Sequence, residues 1–469
     1  MNRTQSEPGV GAGVPGLIRQ RGLVFVCVHR WFQLFSLGAL ALIVVLVTRA
    51  VFIEAFGVPT GSMAPQIVGI HRAAACPNCG ITVRVGDAGA IDARFYDVAC
   101  PNCGFRGIGL DRMPPAPGDR MLVDKSAWEF RAPGRWELAV FKNPNELSQP
   151  FVKRIAGLPD ETVSIHDGDV YANGQIARKS LRLAQAVAVP VVNLAHRPSE
   201  GWGEFWHSDA PESAESGPRA AGAELILPCF RDGRWRGLAY RRPRGAPISD
   251  RLSYNGRRSD LAADWVHDFV VACEITATEG DGEMTITLTD SADEATVTLS
   301  PSAGARMTAG IDSQAIADGR LRLHAVHRLA FAFVDRRAVA TLDGTVIGEP
   351  IDLPPRDDRT AVERPLRIQS RNLGLVVRNL TLGRDLHYAP AGRLGSGQCR
   401  LGPNEYFMLG DNSGNSEDSR FWPQPGVPRR MLIGRPMFVY AATNWESRTF
   451  FGRSWRADAL RDGRFGWLR

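Results

Sequence analysis

Long apolar runs are nearly missing from this chain, and so is any block of one charge. Only Trp31 to Thr48 forms an uncharged apolar stretch, which excludes a membrane bundle of several spans. The 469 residues carry a net charge of +6 and a sequence pI near 9.0, spread thinly and mostly as arginine. That describes a solvated surface, so no nucleic-acid partner is expected. Histidine is sparse, with 9 in all. Only His71 and His166 lie near the motifs below and neither sits inside one, which weighs against a histidine base. At 44% hydrophobic and 23% charged, the chain is not disordered as a whole.

The one apolar run, WFQLFSLGALALIVVLVT, lies between Arg30 and Arg49. As a helix it would reach about 27 Å, close to the hydrocarbon thickness of a bilayer. It shows no polar face, unlike a buried soluble helix. Its exit, Val47-Thr48-Arg49-Ala50-Val51, lacks the small-x-small pattern of a cleaved signal. A transmembrane helix is expected over 31–50, preceded by a loose cytoplasmic tail, 1–30. Arg3, Arg19, Arg21 and Arg30 precede the run and Glu54 follows it, so the remainder is expected outside the inner membrane.

Beyond the run the chain reads as mainly β. Residues 114–190 alternate apolar and polar between turn signals, including an Asn173-Gly174 turn typical of a hairpin. Residues 191–222 are rich in Ser, Pro, Glu and Gly and read as a linker. Residues 223–390 hold short strands such as Phe269–Ile275, Met284–Leu288 and Leu329–Asp335, with no long helical period; this pattern indicates a β-sandwich. Residues 447–469 read as a C-terminal tail.

Three segments carry reactive chemistry. Val58-Pro59-Thr60-Gly61-Ser62-Met63-Ala64-Pro65 offers a serine shortly after the apolar run. Phe151-Val152-Lys153-Arg154-Ile155 offers a lysine with apolar neighbours, and Gly410-Asp411-Asn412 opens an acidic turn. A serine needs a base to become a nucleophile at neutral pH, and lysine serves when an apolar surround lowers its pKa. Taken alone, a Gly-Ser-Met or a Val-Lys-Arg is more often inert surface.

In this order the segments resemble type I bacterial signal peptidases, membrane-bound Ser/Lys endopeptidases that remove signal peptides. Gly61–Pro65 resembles the serine box, Lys153–Pro159 the lysine box, and Gly410–Arg420 the terminal box. The resemblance implies an antiparallel β catalytic domain assembled from 51–70, 114–190 and 399–446. It implies Ser62 as nucleophile, Lys153 as base and Ser416 as the residue orienting the lysine amine. Thr60 and the Ser62 backbone N–H would form the oxyanion hole. Asp411, Asp418 and Arg420 would support the site, and Val58, Pro59 and Val152 would line shallow substrate pockets. Preprotein signal peptides and a lipid membrane are the implied partners, and catalysis would need no cofactor. Asp160 stands where the family usually has glycine, Gln66 replaces a threonine, and Gly134–Phe141 matches its box only loosely.

Two insertions interrupt this core. Over 71–113, Cys76, Cys79, Cys100 and Cys103 form C-x2-C-x20-C-x2-C in two identical Cys-Pro-Asn-Cys-Gly knuckles. The spacing is that of a structural zinc ribbon, with disulfides or redox chemistry as the competing readings. Cys27, Cys229, Cys273 and Cys399 are isolated and read as plain thiols. The 223–390 insert resembles the concanavalin/laminin-G-like jelly-roll group through His327–Asp335 and Ala340–Gly344. It would be either a carbohydrate- or protein-binding module or a stable insert without ligand. Trp202, Trp206, Trp235 and Trp265 fit core packing better than sugar stacking. Two rival functions follow: a non-enzymatic envelope binding protein using the sandwich, and a self-cleaving Ser/Lys regulator, for which no DNA-binding helix pair is evident.

Overall fold

The computed structural model describes residues 31–47, 52–87, 96–200, 202–208, 217–260, 264–316, 319–395, 397–441, 443–450, 453–459 and 465–467. The expected cytoplasmic tail and Cys27 lie outside these residues. The described part of the apolar run, 31–47, is helical, and its large side chains stand in the open, with Trp31 74% and Phe35 77% exposed. Among the described residues no helix is long and apolar enough to cross a membrane.

Strands dominate the rest. One antiparallel sheet runs in the order Ile53–Gly57, Asp119–Asp124, Leu432–Ala441, Leu138–Asn143, Glu146–Gly157, Glu405–Leu409, Gly426–Pro428. Its strands come from the three segments expected to build one domain. Strands Leu138–Asn143 and Glu146–Gly157 form a hairpin in which Ala139 faces Lys153; the Asn143 side chain accepts from Asn145 N at 3.0 Å to close the turn. Val58, Met63, Ile67, Val123 and Val140 pack together behind the serine segment. Burying each such side chain contributes about 1.5–3 kcal/mol.

A four-stranded sheet, Cys399–Arg400, Thr162–His166, Asp169–Ala172 and Gln175–Ile176, flanks this core. Its Asn173-Gly174 turn takes positive φ at both residues, 51° and 78°, as a two-residue hairpin requires. Asp160 also sits at φ 65°, a conformation aspartate tolerates, so the turn after Leu158-Pro159 forms without glycine.

The second large sheet is built on two long paired strands, Phe269–Thr289 and Leu366–Arg384. Register shifts at Ala272/Glu274, Ala277/Glu279 and Gly280/Glu283 bend the pair. One half pairs with Val326–Val334 and the other with Glu294–Ser300, around a shared core that includes Ile275, Ile286, Phe331 and Leu375. Two pieces of the stretch read as a linker belong here: Trp206–Ser208 pairs with Arg236–Tyr240, and Arg219–Ala221 with Glu224–Leu227. The stretch read as a tail also holds strands. Thr443–Phe450 pairs with Arg453–Ala459, and Phe465–Trp467 with Leu432–Ala441.

Candidate active site

The serine segment leaves the Ile53–Gly57 strand and turns back against the start of Asp119–Asp124. Val58 N donates to Asp119 O at 2.9 Å, and the Asp119 carboxylate accepts from Val68 N at 2.9 Å. Ser62 lies in this turn, half-buried, with Thr60 exposed beside it. The terminal segment closes over it: Asn412 N donates to Ser62 O at 3.0 Å, and Asn412 Nδ2 to Gly61 O at 2.9 Å. Gly410 is required there, because a Cβ would overlap Ser416 Oγ and approach Ser62 O at 2.6 Å.

Ser62 and Lys153 line one cleft of about 1710 Å³, together with Val58, Pro59, Thr60, Val152, Asp411 and Ser416. Lys153 is 2% exposed. Among the described residues its Nζ has neither a hydrogen bond nor an ion pair; the Phe151 ring lies 5.9 Å away. Burial therefore dominates, and it lowers the lysine pKa to about 8 against the opposing pull of Asp418. Lys179 shows the contrast. It is equally buried, but Asp335 and Asp385 hold its ammonium at 2.8 and 2.7 Å, and its pKa is raised. Of the two buried lysines, Lys153 is the one whose neutral form is brought closer to physiological pH.

Ser416 is buried, and its Oγ has no hydrogen-bond partner. The hydrogen bond to the lysine amine that the resemblance implies is thus not made here, although both groups face the same cleft. The supporting charges are fully paired. Arg154 grips Asp411 through two bonds, 2.8 and 2.7 Å, and donates to Trp136 O at 2.7 Å. Arg420 grips Asp418 at 2.8 and 2.9 Å and also donates to Ser413 Oγ at 2.8 Å. Asp418 further accepts from Gly410 N at 3.1 Å. These carboxylates are bonded to arginines and none makes an ion pair with Lys153, so their pull on it acts through space and is outweighed by burial.

Sequence reasoning missed one wall of the cleft. Asp250, Arg251, Leu252, Tyr254, Asn255, Arg384 and His387 line it, all from the region read as a separate insert. His387 Nε2 lies 3.5 Å from Asp264 Oδ2. His71 is elsewhere engaged, with Nδ1 at 2.8 Å from Gly69 O, and neither His71 nor His166 lines the cleft.

The four knuckle cysteines converge. Their sulfurs lie within 4.8 Å of one another, with Cys76–Cys103 and Cys79–Cys100 at 3.6 Å. Zn–S bonds of 2.3 Å in a tetrahedron put sulfurs about 3.8 Å apart, so the set fits a zinc ion. Gly80 and Gly104 both take φ 73°, and each donates its N–H back to the first cysteine of its knuckle. Burial pushes the Cys103 thiol up to about 12, a cost that a bound cation would reverse. Of the tryptophans, Trp206 is buried against Tyr240, whereas Trp265 is 44% exposed.

Comparison with known proteins covers part of this region, with Ser62 outside the residues that the family matches. The family described as "Signal peptidase, peptidase S26" matches residues 112–197 and 351–441, which contain Lys153 and Asp411–Arg420. The chain is 37% identical over 79 residues to a probable signal peptidase I-1 of Synechocystis sp., covering 15% of this chain and 40% of that protein. It is 26% identical over 141 residues to signal peptidase I of Pseudomonas aeruginosa, covering 30% and 37%. The resemblance to type I signal peptidases holds. The chain spans less than half the length of either relative. A carbohydrate-binding module of Bacillus subtilis, CBM66, aligns with 38% of this chain and 95% of its own at 12% identity, with a TM-score of 0.25.

Proposed function

We propose that the protein is a membrane-anchored serine endopeptidase that removes signal peptides from exported preproteins. The observation that carries the reading is Lys153: a buried amine, lowered to about 8, lining the same cleft as Ser62. Neutral Lys153 takes the hydroxyl proton as Ser62 Oγ bonds to the scissile carbonyl carbon. The carbonyl oxygen gathers negative charge, which the Thr60 hydroxyl and the Ser62 N–H stabilise. The lysine ammonium returns the proton to the leaving amine as the C–N bond breaks. Water, deprotonated by the same lysine, then releases the acyl group from Ser62. Ser416 orients the amine, and its unpartnered oxygen supports this role, because a buried hydroxyl without a bond calls for a partner. Val58, Pro59 and Val152 present bulky walls that favour small substrate side chains.

Two further parts belong to the proposal. The exposed apolar helix, 31–47, is the described part of a transmembrane anchor that keeps the cleft on the outer side of the inner membrane. Cys76, Cys79, Cys100 and Cys103 hold a structural zinc ion, which leaves no open coordination position for chemistry. The experiment is cleavage of a preprotein by wild type, Ser62→Ala and Lys153→Ala. Loss in both variants is expected; equal cleavage by all three proteins would remove the enzyme reading and favour an envelope binding protein.

A further inference from the structure

The 223–390 region does more than stand beside the cleft. Its long strand ends at Arg384, which donates to Asp250 O at 2.6 Å and to Asp385 O at 2.9 Å. Ile248 N bonds Val362 O at 3.1 Å, fixing the same loop to the sandwich. Held at this root, the loop sends Leu252 and Tyr254 into the core beside Ala64 and Val68, next to the serine segment. The Tyr254 ring lies directly against Gly61, where any Cβ would overlap it, and against Gly86.

The next residue, Asn255, faces Asn412 amide to amide. Asn255 Nδ2 donates to Asn412 Oδ1 at 2.8 Å, and Asn412 Nδ2 donates to Asn255 Oδ1 at 2.7 Å. The second hydrogen on Asn412 Nδ2 goes to Gly61 O at 2.9 Å. The Gly61 carbonyl only accepts, so it selects the orientation that points the Asn412 nitrogen at it, and the Asn255 amide, bonded to both ends of Asn412, holds that amide plane in place. Turned over, Asn412 would set an oxygen against the Gly61 carbonyl. That carbonyl shares one rigid plane with the Ser62 N–H, the donor expected in the oxyanion hole. Tilting the plane aims the N–H away from the developing charge.

We propose that Asn255, carried by the insert, is a positioning residue of the Ser62 site that acts through Asn412 on the Gly61–Ser62 peptide plane. The inference rests on the reading of Ser62 as nucleophile. The sandwich is then part of the peptidase rather than cargo attached to it, whatever else it binds.

The test is steady-state cleavage of a preprotein by the full-length protein, with thermal unfolding measured in parallel. Asn255→Ala is expected to lower kcat about tenfold with KM nearly unchanged, because ground-state contacts remain while oxyanion geometry is lost. Asn255→Asp retains size and acceptor but loses the donor. It is expected to behave alike, and it serves if the alanine variant misfolds. Asn412→Ala should cost at least as much, and the double variant Asn255→Ala/Asn412→Ala no more than Asn412→Ala alone. Variants of Asn255 with wild-type kcat, or a double variant whose losses multiply, would overturn the proposal. If wild type cleaves no better than Ser62→Ala, the nucleophile reading itself has failed, a result distinct from any change at Asn255.

Discussion

At the scale of single residues, the two buried lysines differ in what surrounds them. Lys179 is fixed as an ammonium by two aspartates, whereas at Lys153 burial outweighs the pull of Asp418 and the amine stands at about 8. The proposed mechanism needs Lys153 neutral, so kcat/KM should rise with pH and level off above about 8. A profile that stays flat across this range would remove Lys153 as the base. The same shift affects stability. Between about 8 and 10.5 the unfolded chain keeps a proton on this lysine that the folded chain has released, so stability should rise with pH across that window and carry the full penalty below it. Denaturant midpoints of wild type and Lys153→Met, compared across these pH values, measure the difference. Lys153 was legible in the sequence because arginine, the commoner basic residue here, cannot give up its proton near neutrality.

At the scale of elements, the turn from Leu409 to Arg420 has to hold its shape against packed charges. Asp411→Ala would leave the Arg154 guanidinium buried without its counter-ion, a loss of about 3–5 kcal/mol. Urea unfolding of the variant should show it, with cleavage lost as well. Gly410→Ala is expected to fold yet cut kcat about tenfold or more, since the new methyl displaces Ser416 Oγ and presses on Ser62 O. Kinetics at matched thermal stability separate this outcome from unfolding. The three boxes were readable because each is contiguous and needs particular residue types. The Ile248–Gly256 loop was not: Tyr254 and Asn255 gain their meaning only from Gly61 and Asn412, brought near by the fold. The three-residue strands Trp206–Ser208 and Arg219–Ala221 were hidden for another reason. They are too short to show alternation, and the surrounding Ser, Pro and Gly read as linker.

At the scale of the whole molecule, the cysteine ribbon is wedged against the sandwich. Asn102 donates to His196 O at 2.6 Å and accepts from Asn193 N at 2.7 Å, while Asn78 O accepts from Ser199 N at 2.9 Å. The ribbon's buried valines join the sandwich core. Purified protein should contain stoichiometric zinc by elemental analysis. Its removal by a chelator should lower the melting temperature and, because Ser253 Oγ bonds Ala99 O at 2.9 Å in the ribbon, also loosen the loop that carries Asn255. Disulfides would give protein free of metal and resistant to chelation. The mainly β class and the order of the segments could be read from alternation and turn residues. The fusion of ribbon, sandwich and cleft could not, since Asn102, Ser253 and Asn255 find their partners far away in the chain, mostly backbone carbonyls that leave no pattern in the sequence.

The order of strands in the catalytic sheet bears on how this protein is made. Leu432–Ala441 lies between Asp119–Asp124 and Leu138–Asn143, so a strand inside the sheet is supplied by a segment that follows the sandwich in the chain. While the ribosome is still translating, the sandwich residues have all emerged and the two halves around Ser62 and Lys153 have nothing to bridge them. A chain that has made only those two halves holds the flanks of the sheet without the strand that joins them, so the cleft is assembled only after the sandwich has been made.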